Sequence, residues 1–164
     1  KTNEFVSIVG HSRTAFLVNY LTFKHSNMVN ASIALSGFYN NEPLSIDKFK
    51  VFLKDTVKIS KPLNYYFTSG NTFEESTYLN QCLEIMKFLA NNDNVSPNLS
   101  WQFTATKNAN HMTNYWVSTP PIFMAIFSEY NSILNNWFYV NLKNDSIFEP
   151  IQKFKQDINK IKTK

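Results

Sequence analysis

The chain has 164 residues, 43% hydrophobic and 17% charged, a composition for a folded domain with a real apolar core rather than for a disordered segment. Its formal charge of +4 comes from 16 basic against 12 acidic residues; several lysines gather between Lys153 and Lys164, and the basic residues do not interleave with aromatics as a nucleic-acid platform would. A single cysteine, Cys82, excludes an internal disulfide, and no apolar run approaches the length of a membrane span.

In chain order, Val6 to Val9 reads as a buried strand, Thr14 to Phe23 as a helix, and Ser32 to Ser36 as a second strand. Ser45 is placed to cap a helix running to Leu53, and Leu63 to Thr68 forms a third strand. Leu79, Cys82, Leu83, Met86 and Leu89 recur at helical spacing, which predicts an amphipathic helix ending near Asn91 and Asn92. Trp101 to Thr106 is the fourth strand. A helix from Ile122 to Tyr130 follows Pro120 and Pro121, and a charged terminal helix from Ile147 to Ile161 carries Ile151, Phe154, Ile158 and Ile161 on one face. This alternation implies βαβ crossovers, hence an α/β fold with a parallel sheet of about four strands flanked by helices.

The three glycines, Gly10, Gly37 and Gly70, each follow a predicted strand, where positive φ or close backbone approach is expected. They mark the carboxyl edge of the sheet, where open α/β folds bind ligands. At the first of them the chain reads Val9-Gly10-His11-Ser12-Arg13-Thr14 and passes from strand to helix with no loop between. This is the pattern of a nucleophile elbow, which projects a serine hydroxyl from a sharp turn beside the free N–H groups of a helix start. Ser12 is therefore the candidate nucleophile, and the Arg13 N–H the candidate oxyanion donor.

His111 lies past the fourth strand, so a parallel sheet delivers it to the same edge as a candidate general base. His11 sits inside the elbow and cannot turn back on its neighbour's hydroxyl, and His25 belongs to the opposite end. For the acid, Glu74 and Glu75 follow Gly70. Thr72-Phe73-Glu74-Glu75 also fits a capping box in which Glu75 reaches back to the Thr72 N–H, so Glu74 is the preferred orienter of His111, with Glu75 next and Glu42 third. Trp116 is singled out for a substrate-pocket rim, whereas Trp101, Trp137, Cys82 and Met86 are expected mainly in the core. Three scattered histidines show no metal-ligand spacing.

Gly10-His11-Ser12-Arg13, the stretch Tyr65-Tyr66-Phe67-Thr68-Ser69-Gly70 leading to Glu74, and Asn110-His111 followed by Trp116 together resemble the α/β-hydrolase esterases related to enterochelin esterase and S-formylglutathione hydrolase. The resemblance covers roughly residues 4 to 130. It implies the C-terminal part of an α/β-hydrolase fold, a carboxylic-ester hydrolase without a cofactor, an acyl-enzyme on Ser12, His111 as base, Glu74 or Glu75 as acid, and a small ester as substrate. It also implies a catalytic region over residues 1–140 that lacks its N-terminal strands, followed by a charged helical extension over 141–164. Thr14 stands where the family's elbow has a second glycine, and its branched side chain is expected to push the helix contact apart slightly. The strand Val6 to Val9, central in such a fold, is expected to show an apolar edge that a second copy or a separate N-terminal fragment covers. An inactive relative serving as a binding module, or an acyltransferase with the same triad, are the competing functions.

Overall fold

A computed structural model of the chain describes residues 5–40, 42–128, 131–132, 153 and 156–157. Four strands, β1 (Ser7–His11), β2 (Ala31–Leu35), β3 (Leu63–Gly70) and β4 (Leu99–Thr106), form one sheet in the order β1-β2-β3-β4, every pair parallel. Between them run α1 (Arg13–His25), α2 (Ile46–Leu53) and α3 (Ser76–Ala90), and α4 (His111–Ile126) follows β4. This is an α/β fold.

The local chemistry explains most boundaries. Ser45 caps α2 as expected, its hydroxyl accepting the Lys48 N–H at 3.3 Å. α1 packs over β1 and β2, and α3 over β3. The apolar stripe of α3 buries Cys82, Ile85 and Leu89. Tyr65 and Phe67 of β3 stack at 5.0 Å in the buried centre, with Phe49 and Phe52 of α2 beside them. Trp101 packs partly buried against this core. Burial of each such side chain is worth about 1.5 to 3 kcal/mol.

Three expectations change. None of the three glycines has positive φ; Gly10 and Gly70 lie inside strands, and the positive-φ residues at the carboxyl edge are Ser12 (φ 58°), Ser36 (φ 47°) and Asn108 (φ 59°). The glycines serve close approach instead. A β-carbon on Gly10 would stand 2.3 Å from the Thr14 carbonyl oxygen, so the first turn of α1 sits directly on β1. The helix after β4 begins at His111, not after the proline pair; Pro120 and Pro121 lie inside it, and their missing N–H groups leave the Trp116 and Val117 carbonyls without an i+4 donor.

β1 pairs only with β2 among the described residues, and Val9 stands 43% exposed there. The described residues fall into two compact units, the first ending at Pro120 and the second beginning at Pro121. Every candidate site residue belongs to the first. In the second, Phe123 and Phe127 stack at 6.2 Å. Trp137 lies outside the described residues, as does almost all of the helix expected from Ile147 to Ile161. Among the described residues no helix is long and apolar enough to cross a membrane.

Candidate active site

The turn at Ser12 is made by the backbone. The Ser12 N–H still reaches the Leu35 carbonyl of β2 at 2.9 Å, and then the chain reverses at φ 58°, ψ −119°. Such a conformation costs a residue with a β-carbon about 1 to 3 kcal/mol and persists only where its surroundings impose it. Here they are the Leu35 bond on one side and a helix that starts at once on the other, the Ser12 carbonyl accepting from Ala15 and Phe16 at 3.0 and 3.2 Å. Thr14 does more than fill the place of a glycine. Its hydroxyl accepts the His11 N–H and donates to the His11 carbonyl, both at 2.8 Å, lacing the turn shut. The Ser12 hydroxyl is partly exposed and makes no hydrogen bond among the described residues, and the Arg13 N–H is likewise unbonded.

The second half of the site is held by side chains. Glu75 lies on a short 3₁₀ turn, Phe73–Glu75, between β3 and α3, and its carboxylate is completely buried. Oε1 meets His111 Nδ1 at 2.5 Å. Oε2 accepts from the Ser36 hydroxyl at 2.6 Å, the Gly70 N–H at 2.9 Å and the Ser69 hydroxyl at 3.0 Å. Burial by itself would raise the pKa of this acid, but the donors from Ser36, His111, Gly70 and Ser69 together bring it below the ordinary carboxylate value, so the group is an anion at neutral pH. Gly70 also lets the loop before His111 cross, since a β-carbon there would stand 2.0 Å from the Ala109 carbonyl and 2.9 Å from Glu75 Cγ. Without that approach His111 would not reach the carboxylate.

The preference for Glu74 is therefore reversed. Glu74 is exposed and makes no contact with His111, and the capping box is not formed, because Thr72 offers no side-chain cap and the Glu75 carboxylate turns inward instead. Glu42 pairs with Lys48 on the surface at 3.0 Å. The physical reason is the parallel register: β3 ends beside β2, so the buried side of the turn after β3 offers a carboxylate the hydroxyl donors of both strand ends. Trp116 projects from α4, 73% exposed, with its ring against Tyr115 at 4.9 Å.

His11 does not turn toward Ser12, but it is not idle. Its Nε2 contacts the His111 carbonyl at 2.6 Å, which requires a proton on that nitrogen, and its ring lies 4.7 Å from the His111 ring. Tyr78 stacks on His111, also at 4.7 Å. Burial holds the His11 pKa below its usual value. The sequence reading missed Ser36, Ser69, Tyr78 and Asn114, whose amide bonds Ser36 and Thr68 at 2.8 and 3.0 Å. One signal was present. Leu35-Ser36-Gly37 and Thr68-Ser69-Gly70 repeat a strand-end Ser-Gly pair, and the pairings His11↔Leu35 and Leu35↔Thr68 bring Ser12, Ser36 and Ser69 to one level at adjacent strand ends. Among the described residues no group of three His, Cys, Asp or Glu side chains is placed to hold a metal ion.

No protein-family model matches the chain, and no curated protein sequence does. Solved structures do resemble it. An uncharacterised protein from Capnocytophaga ochracea superposes with a TM-score of 0.63 at 12% identity, over 97% of this chain and 49% of its own. The siderophore hydrolase EstB from Aspergillus nidulans gives 0.56 at 17% identity, over 72% of this chain and 47% of its own. The BES protein from Bacillus cereus gives 0.56 at 15% identity, over 69% and 41%. The chain thus spans less than half the length of each of these structures, and at such identities the likeness is one of fold.

Proposed function

We propose that the chain carries the catalytic residues of a serine carboxylic-ester hydrolase. The observation that supports this best is Ser12 itself: a non-glycine residue held at φ 58°, ψ −119° between a parallel strand and a helix, beside an unbonded Arg13 N–H. The pair of Glu75 and His111 at the same sheet edge supplies the acid and base. EstB, described as a siderophore hydrolase, shares the fold and adds to this reading.

In the reaction, His111 takes the Ser12 proton as Oγ attacks the ester carbonyl, and the oxyanion forms toward the Arg13 N–H. Glu75 holds the Nδ1–H tautomer and stabilises the imidazolium without taking the proton. The tetrahedral intermediate collapses as His111 protonates the leaving alcohol, and water repeats the sequence on the acyl-enzyme to release the acid. In an unliganded site the serine–histidine bond is commonly open and tightens around substrate. Trp116 stands as a rim residue on the first turns of α4, and its replacement by alanine should raise KM while leaving kcat nearly unchanged. The half-exposed β1 edge suits a further strand from a second copy or an N-terminal fragment. Sedimentation showing a stable monomer at micromolar concentration, with no bound fragment, would remove that part.

A fluorophosphonate probe tests the chemistry. Labelling at Ser12 that disappears in both Ser12→Ala and His111→Ala supports the hydrolase. A folded chain that never labels and hydrolyses no ester points to a binding module.

A further inference from the structure

The hydrogen bonds that end on Glu75 begin a long way from it, and each has only one permissible direction. A buried carboxylate can only accept, so the contact between Ser36 Oγ and Glu75 Oε2 at 2.6 Å uses the single proton of Ser36. Ser36 Oγ must then be the acceptor toward Asn114, which identifies the facing atom as Nδ2, 2.8 Å away. The Asn114 Oδ1 is thereby turned to Ser118, whose hydroxyl donates to it at 2.8 Å. Ser118 has now spent its proton, so at 2.8 Å Thr106 donates to Ser118. The proton order runs one way: Thr106 to Ser118 to Asn114 to Ser36 to Glu75.

Every member of this chain is buried, with Ser36 and Asn114 at 0% exposure. His111, Asn114 and Ser118 recur three and four residues apart, so one face of α4 carries both the base and the chain that supports its acid. A buried polar stripe on a helix is unfavourable unless every group is matched, and these are. Ser36 also sits at φ 47°, a strained backbone that aims its hydroxyl at the carboxylate, whereas a glycine would accept that backbone freely.

We propose that Ser36 and Asn114 are positioning residues: with Ser118 and Thr106 they form a one-way chain of hydrogen bonds that, beside the Gly70 N–H and the Ser69 hydroxyl, supplies the shortest donor to Oε2 of Glu75, holds it as an anion and leaves Oε1 for His111. The pairing of Glu75 with His111 is seen directly; its use in ester hydrolysis rests on the function proposed above. The titratable groups facing the pair are His11, packed on His111 and bonded to its carbonyl; Tyr78, stacked on its ring; and Cys82, whose buried thiol is pushed up to about 12 and stays neutral.

The test follows the His111 ring proton by NMR through a pH titration of the intact protein, with probe labelling of Ser12 measured in parallel. A hydrogen bond to a charged group is worth about one to two pH units of carboxylate ionisation. Without it the Glu75–His111 pair holds its proton to higher pH. Ser36→Ala and Ser36→Gly should both move the midpoint up by about one unit, and labelling well below the midpoint should fall about tenfold while recovering above it. Asn114→Asp should shift it at least as far although Ser36 is intact, because an acceptor there draws the Ser36 proton away from Glu75. Ser36→Gly relieves the strained backbone, so it folds even if the alanine variant does not. A Ser36→Gly protein that titrates and labels like the wild type overturns the proposal. Should wild-type Ser12 fail to label, the hydrolase reading falls, and the titration, read without substrate, still decides the positioning role.

Discussion

Ser12 and Glu75 follow strands of one sheet, yet they are held by opposite means. Ser12 is placed mainly by backbone, through a strained turn laced by the Thr14 hydroxyl and a helix start, and among the described residues its own hydroxyl and the Arg13 N–H are left unbonded. Glu75 sits at full burial with four donors on its two oxygens. The difference matches what each task in the proposed hydrolase would require. A nucleophile must keep its lone pairs and an adjacent N–H free for substrate, so its position is stored as conformational strain. An orienting carboxylate must stay ionised away from water, which only a full set of donors allows.

The largest effect expected from breaking this contrast is on activity at the nucleophile. Ser12→Ala should lower ester turnover by about 10³-fold or more. Ser12→Gly should be as inactive, yet at least as stable as the alanine variant, although glycine ordinarily loses about 0.5 to 1 kcal/mol to alanine. Urea unfolding that keeps the ordinary order would show that the turn is not strained. At the acid, Glu75→Gln should cost about 2 to 3 kcal/mol, because an amide meets donors that want an acceptor, and on the order of 10² to 10⁴ in kcat. The neighbouring Glu74→Gln should fall within about 0.5 kcal/mol of the parent in the same assay. Equal effects at the two positions would dissolve the assignment.

Gly70→Ala is expected next, at about 1 to 3 kcal/mol with reduced activity, since its β-carbon meets the Ala109 backbone two residues before His111. The smallest effects are in pH. The folded pKa of Glu75 lies below 4.5, so its contribution is complete above the ordinary carboxylate value and is lost as pH falls from about 4.5 through the folded value. Glu75→Gln should lack that acid-limb decline. His11 is held below 6.5, so the unfolded chain binds the extra proton and stability falls as pH drops from 6.5 toward the folded value. Melting of His11→Gln between pH 7 and pH 5 should be flatter than the parent's.

Much of this was legible in the residues. Apolar period and capping chemistry are local, so the four strands, the Ser45 cap and the α3 stripe could be read directly, and so could the strand-to-helix transition at Ser12. Glu75 could not be separated from Glu74, because which of two adjacent carboxylates turns inward depends on two donors far along the chain, Ser36 and His111, 39 and 36 residues away. The helix through Pro120 and Pro121 was also hidden, since proline propensity argues for a boundary that α4 does not observe.

By itself, then, the order of residues determined the alternating elements, the parallel sheet and the strand-to-helix turn at Ser12, because each rests on spacing and turn chemistry within a few positions. Tertiary structure alone decided which acid meets His111, that Gly10 and Gly70 serve close approach rather than positive φ, and that three strand-end serines come to one level. Those outcomes depend on register between strands about 24 to 36 residues apart, which no local pattern encodes.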